Sequence, residues 1–236
     1  MKKQENYVCI DLETTGLNPK TDKIIEIGAV RVEKGTLVEI FETFVNPACR
    51  LREQITELTG ITDETLRKAP EIVEVLPKLL MFLREDALLG HSVLFDYSFL
   101  KKAAVNNRIR FERQGIDTLK IARRFLQDLP SRSLDALCAH YEIPHQAHRA
   151  LADAKATCIL YDRLWEDFGE REENTVFAPV MLQYQVKRET PATPAQKERL
   201  YKLLIKHKIE VEYEVDKLTR SEASRYTDRI LATYGR

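Results

Sequence analysis

Asp11-Leu12-Glu13 closes an apolar run that begins at Tyr7. If Tyr7–Leu12 is a strand, alternation puts the Asp11 and Glu13 carboxylates on one face. Two acids held side by side repel unless a cation lies between them, and a divalent ion with oxygen ligands meets that need. Alone, D-x-E describes a strand edge turning into solvent equally well. A second feature is Gly90-His91-Ser92-Val93-Leu94-Phe95-Asp96, which puts an acid in the first turn of a helix after a short apolar strand. The third is His148-Arg149-Ala150-Leu151-Ala152-Asp153, at the head of a long helix. Five helical residues turn through roughly 500°, so His148 and Asp153 cannot share a face if both are helical. His148 is therefore expected in the preceding loop or first turn, reaching back towards a site that Asp153 addresses from the helix. Asp11, Glu13, Asp96 and Asp153 thus gather from one strand end and two helix starts. Four carboxylates balance two divalent ions in charge, which is the arrangement of two-metal phosphoryl chemistry.

The elements that would position these acids can be read from the periodicity. Lys23–Glu33 and Leu37–Val45 alternate around Lys34-Gly35, predicting an antiparallel hairpin. From about residue 51 the pattern turns helical, and Ile72, Val75, Leu76, Leu79, Leu80 and Leu83 share one face. Ala87–Gly90 and Ile116–Thr118 read as brief strands, with helices at 95–105, 119–127 and 133–140. Leu151, Ala154, Cys158, Tyr161, Trp165 and Phe168 form an apolar stripe of more than four turns. Strands followed by alternating strand and helix predict an α/β domain with a mixed sheet covered by helices, ending near residue 170. Residues 171–192 read as a linker, with a short docked segment at 176–184. In 193–236, Thr193-Pro194 opens a basic helix at 195–208. Thr219 and Glu222 form a capping box for a helix through Tyr234. Two helices are marginal alone, so docking on the main domain or on a partner is expected.

The 236 residues are 44% hydrophobic and 31% charged, as in an ordinary globular protein. The longest apolar run, Leu79–Leu83, is too short to span a bilayer, and the N-terminal stretch before Asp11 lacks the apolar core of a secretory signal. Cys9, Cys49, Cys138 and Cys158 have neither disulfide-frame nor zinc-site spacing. The eight glycines form no phosphate-cradling loop. A cytoplasmic protein is the expectation.

Taken in order, IDLETTGL (10–17), GHSVLFDYSFL (90–100) and HRALADA (148–154) resemble the motifs of the DEDDh family of 3′-to-5′ exonucleases. That group contains the proofreading epsilon subunit of bacterial DNA polymerase III. Weaker matches at 57–62, 117–123 and 133–143 extend the resemblance over roughly residues 5–168. It implies a ribonuclease-H-like sheet of five strands with the second antiparallel. It also implies two Mg²⁺ or Mn²⁺ ions on Asp11, Glu13, Asp96 and Asp153, with His148 as general base. Substrate contacts would come from Thr14 and Leu17 at the terminal nucleotide, Leu58 and Thr59 wedging its base, and Phe95 near the penultimate unit. The family usually has Asn where this chain has Ser92, a shorter hydrogen-bonding group. The implied substrate is single-stranded DNA, in replication proofreading or repair. RNA or oligoribonucleotides are the alternative within the enzyme class, since ribonuclease T and oligoribonuclease share the same acids and His. A non-catalytic nucleic-acid or partner-binding module is the alternative outside it. The C-terminal region would be the place for a protein partner such as a polymerase subunit.

Lys plus Arg and Asp plus Glu both total 37, so the formal net charge is zero. That balance hides a division. Residues 187–236 hold 12 cationic against 8 acidic side chains, and 1–186 hold 25 against 29. Residues 101–124 are locally basic, a possible path for a phosphate backbone.

Overall fold

The computed structural model describes residues 2–171, 174–211 and 213–235. The chain divides into two compact units: Met1–Pro47 with Leu51–Val186, and Ala48–Arg50 with Lys187–Arg236.

The first unit is built on one mixed sheet. Strand β1 (Tyr7–Thr14) pairs antiparallel with β2 (Ile24–Glu33), and β2 pairs antiparallel with β3 (Thr36–Phe44) across the Lys34-Gly35 turn. Lys34 and Gly35 both have positive φ, as a two-residue hairpin turn requires. On its other side β1 runs parallel to β4 (Leu88–Gly90), which is parallel to β5 (Gln114–Asp117). The expected five strands become six. Val180–Met181 pairs antiparallel with β5 as β6, giving the order β3-β2-β1-β4-β5-β6. The stretch expected as linker over 171–192 is therefore largely part of this unit. Phe177 and Leu182 are buried, and Leu182 packs on Gly115, where a larger residue would not fit. Two-residue strands have too few side chains for alternation to reveal them.

Helices cover both faces of the sheet. After α1 (Glu53–Thr59) and α2 (Asp63–Arg67), α3 (Ile72–Leu83) and α4 (Val93–Asn106) bury an apolar cluster with Val8, Ile10 and Leu12 of β1. On the opposite face, α5 (Thr118–Phe125), α6 (Leu134–His140) and α7 (Ala150–Phe168) pack around Tyr7 and Cys9 of β1. Strand alternation carries Asp11 and Glu13 onto this α7 face, directly after Cys9.

One glycine makes that approach possible. Gly28 of β2 lies opposite Asp11 in the register, and a Cβ there would run into the main chain of Ala150 and Leu151. The missing side chain lets the first turn of α7 come down beside Asp11. Gly28→Ala is expected to cost about 3 kcal/mol as an overpacked contact. That corresponds to a fall of roughly 10 °C in melting temperature, readable by circular dichroism.

The second unit has its own small core. Helices α8 (Pro194–His207) and α9 (Arg220–Tyr234) bury Leu200, Leu203, Leu204, Ala223 and Ile230, together with Val215 and Leu218 from the connection. Both helices open with reciprocal capping boxes, Thr193 with Gln196 and Thr219 with Glu222. Among the described residues, no helix is long and apolar enough to cross a membrane.

Candidate active site

Three of the four expected acids converge. Asp11, Glu13 and Asp153 each offer a carboxylate oxygen, and these oxygens lie within 4.8 Å of one another. Asp11 and Glu13 come from the end of β1, and Asp153 from the first turn of α7. Asp96, in the first turn of α4, enters from the other face of the sheet and accepts a hydrogen bond from the Leu12 N–H at 3.1 Å. That N–H is open because β4 pairs with β1 only at Val8 and Cys9 and ends at Gly90. Asp96 is thus seated at the main chain between Asp11 and Glu13. The site lies beyond the carboxyl end of a parallel strand, where α/β folds gather their ligands.

The electrostatics disfavour charge on each acid of the cluster. Burial, then the charges of Asp96, Asp153, Glu13 and Glu26, hold the Asp11 carboxyl well above the usual range. Glu13 is pushed up to about 7, first by burial and then by Asp153 and Glu26, with Arg149 opposing. Asp96 is raised by burial, against the pull of its main-chain hydrogen bonds. Asp153 is raised by burial too, with the nearby His145 and His148 and the Arg149 N–H opposing. A cluster of clustered oxygen donors, each costly to ionise alone, fits hard divalent ions.

His148 lies in the turn before α7, half-buried, in the left-handed region at φ 62°. The spacing argument required this non-helical position. Arg149 follows as the N-cap, and its guanidinium holds Glu26 Oε1 from Nη2 at 2.9 Å and from Nε at 3.3 Å. The other Glu26 oxygen accepts from the Ala150 N–H at 3.1 Å. Glu26 is fully buried on β2 opposite Glu13, so this clamp fixes the start of α7 over the sheet.

The five residues expected at the substrate are placed differently from one another. Leu17 is 85% exposed and Leu58 is 52% exposed, so both have side chains available to a base. Thr14 and Thr59 are buried, and their hydroxyls donate to Gly16 O and Ile55 O. These hydroxyl bonds are local to their turns. Phe95 is partly buried against the α3–α4 cluster, its ring 5.0 Å from that of Phe99. Ser92 is left-handed at φ 72°, and its N–H donates to Asp117 Oδ1. That conformation suits Asn better than Ser.

Asp117, at the head of the weak match over 117–123, accepts from Ser92, Leu119 and Lys120, tying the β4–α4 turn to α5. Two further site residues escaped the motif reading. Glu26 stands in the sequence as an acid inside the apolar run IIEIGAV. His145 was marked by nothing. Its Nε2 lies 3.1 Å from Asp153 Oδ1 and 3.1 Å from Asp135 Oδ1. The basic stretch at 101–124 is in part structural. Lys101 is buried on Phe111 O and Glu112, and Arg113 is buried on Arg84 O.

A mixed sheet with its second strand antiparallel, carrying this carboxylate cluster at the end of β1, defines a nuclease of the ribonuclease-H-like fold. Residues 8–161 match the family model of the RNase_T exonucleases. The chain belongs to this exonuclease family. Similar curated proteins are PolC-type DNA polymerases III. That of Caldanaerobacter subterraneus subsp. tengcongensis is 42% identical over 70% of this chain and 12% of its own length. That of Bacillus subtilis is 33% identical over 97% of this chain and 17% of its own. The chain therefore spans less than a fifth of these relatives. Among solved structures, exonuclease X in complex with 5′-overhanging duplex DNA aligns at TM-score 0.58 and 26% identity, over 73% of this chain and 99% of that one. A zinc-bound Escherichia coli exonuclease I–single-stranded DNA complex aligns at TM-score 0.65 and 20% identity, over 71% and 42%, and shares the fold.

Proposed function

We propose that the first unit removes nucleotides from the 3′ end of single-stranded DNA, releasing nucleoside 5′-monophosphates, in replication proofreading or repair within the cytoplasm. The observation that carries this reading is the convergence of Asp11, Glu13 and Asp153 beside His148, with Asp96 seated on Leu12 N–H. The PolC-type relatives support a DNA substrate and a replication setting.

Asp11, Glu13, Asp96 and Asp153 are the residues that would hold two divalent ions, Mg²⁺ or Mn²⁺. When bound, such ions stabilise both the attacking and the leaving oxygens of an in-line displacement. His148 takes the proton of the attacking water on a ring nitrogen, a task suited to imidazole near neutral pH. The Glu26–Arg149 clamp keeps the His148 turn and Asp153 in register. Leu17 and Leu58 flank the terminal base, with Thr14, Thr59 and Phe95 shaping its surroundings. The exonuclease domain expected over 1–170 extends in this reading through β6 to Val186, and 193–236 form a module that contacts nucleic acid or a protein such as a polymerase subunit.

The substrate is tested by supplying 5′-labelled single-stranded DNA, duplex DNA and RNA of one sequence with Mg²⁺. Single-stranded DNA is expected to be degraded fastest. Faster turnover of RNA would replace the proposed substrate, and no turnover of any would favour a binding module.

The raised carboxyls give a prediction for the ion-free protein. Groups whose folded-state pKa exceeds the unfolded value stabilise the fold in their protonated form, and that stability is lost as pH rises through the folded pKa. For Glu13 this window reaches about 7. In EDTA, the melting temperature of the first unit should therefore rise as pH falls from 8 to 6. The slope should shrink in Glu13→Gln. At pH 7.5, Mg²⁺ at a hundred times its Kd should add about 2.7 kcal/mol.

A further inference from the structure

His145 lies outside the three family motifs, yet it faces Asp153, proposed above as a metal ligand. Its side chain is 9% exposed, and its Nε2 lies equally far, 3.1 Å, from Asp153 Oδ1 and Asp135 Oδ1. The two acids come from the first turns of α7 and α6. His145 sits in the connection between them, so one ring nitrogen bridges both helix starts. Nε2 is buried, and neither acid offers it a well-aligned hydrogen bond. The nitrogen is shared between two acceptors and settled on neither. It carries at most one hydrogen, so it can donate fully to only one of them at a time.

On the Asp153 side the carboxylate is already held once. Its Oδ2 accepts from the Arg149 N–H at 3.2 Å, and His145 faces Oδ1. A carboxylate held on one oxygen and faced by an imidazole at the other is restricted in its rotation. The same loop carries His148, so the bridge also ties the turn on which the proposed base sits.

We infer that His145 is a positioning residue for the metal site: it orients Asp153 towards Asp11 and Glu13, and Asp135 anchors it from α6. This inference rests on the proposed role of Asp153 as a metal ligand. Partners that orient a ligand typically contribute 10- to 100-fold in metal affinity. Asp135 lies 58% exposed, away from the cluster, and would act only through His145.

The test is Mn²⁺ binding to the full chain, followed by electron paramagnetic resonance without substrate. His145→Ala is expected to weaken binding about 10-fold. His145→Gln, which keeps an N–H donor of similar reach, should recover most of that loss. Asp135→Asn should weaken binding by a smaller factor, in the same direction. Unchanged or tighter binding in His145→Ala would overturn the inference. Circular dichroism establishes that each variant is folded, and His145→Gln serves where alanine fails to fold. Asp11→Asn run alongside separates the two levels of the argument. If Asp11→Asn abolishes binding and His145→Ala does not change it, only the role of His145 falls. If Asp11→Asn also binds normally, the metal reading itself falls.

Discussion

Asp11→Asn is expected to lower exonuclease turnover by about 10³-fold or more, a barrier increase of about 4 kcal/mol. The reason is positional. The charges of Asp96, Asp153, Glu13 and Glu26 all act on the Asp11 carboxyl. Removing its charge removes a donor that the three-carboxylate cluster requires. The fold should respond in the opposite sense. In EDTA the neutral amide relieves repulsion at the buried cluster, so the melting temperature should rise by a few degrees. Addition of Mg²⁺ should then raise it further by much less than in the wild type. Loss of activity with a gain in ion-free stability distinguishes a metal ligand from a structural acid, whose removal would lower both. The readouts are steady-state hydrolysis and thermal melts with and without Mg²⁺. A variant that retains normal turnover would remove Asp11 from the site.

The second large effect belongs to His148. His148→Ala should reduce kcat by 10²- to 10⁴-fold, the usual contribution of a general base. KM and Mn²⁺ affinity should change little, because the four carboxylates stay in place. His148 occupies the left-handed region, where alanine is strained, so part of any change in this variant could come from its backbone. His148→Asn addresses this, since Asn tolerates that conformation and carries no basic nitrogen. Equal losses of turnover in both variants would assign the effect to the imidazole. Turnover retained in His148→Asn would assign it to the backbone of the turn and leave the proton acceptor elsewhere, with His145 the nearest other ring to Asp153.

Much of the fold was legible because its long elements have strong periods. The stripe from Leu151 to Phe168 forms α7, and the alternation around Lys34-Gly35 forms the β2–β3 hairpin. Within 171–192 the docked segment at 176–184 could be expected, but not its pairing as β6, which is two residues long with both exposed. The information that docks it lies in Phe177 and Leu182, which need the rest of the sheet in view. Within the site, Asp11 and Glu13 could be paired from strand alternation alone, and the position of His148 from helical geometry. Asp96 and Asp153 joined them as acids at two helix starts, and the family motifs tied the four together. Glu26 and His145 were hidden for a common reason. Each acts on a residue distant in sequence or on a main-chain N–H, and contacts of that kind leave no local pattern. Gly28 was equally silent, because its purpose is the space it leaves for the Ala150–Leu151 main chain.

The central claim is that this carboxylate cluster performs metal-dependent hydrolysis from a 3′ end. It is tested most directly by identifying the products released from a single-stranded DNA carrying a 5′ label. With Mg²⁺, the account predicts a ladder shortening one nucleotide at a time, with nucleoside 5′-monophosphates detected by mass spectrometry and all turnover stopped by EDTA. Undiminished cleavage in EDTA, or release of nucleoside 3′-monophosphates, would contradict it.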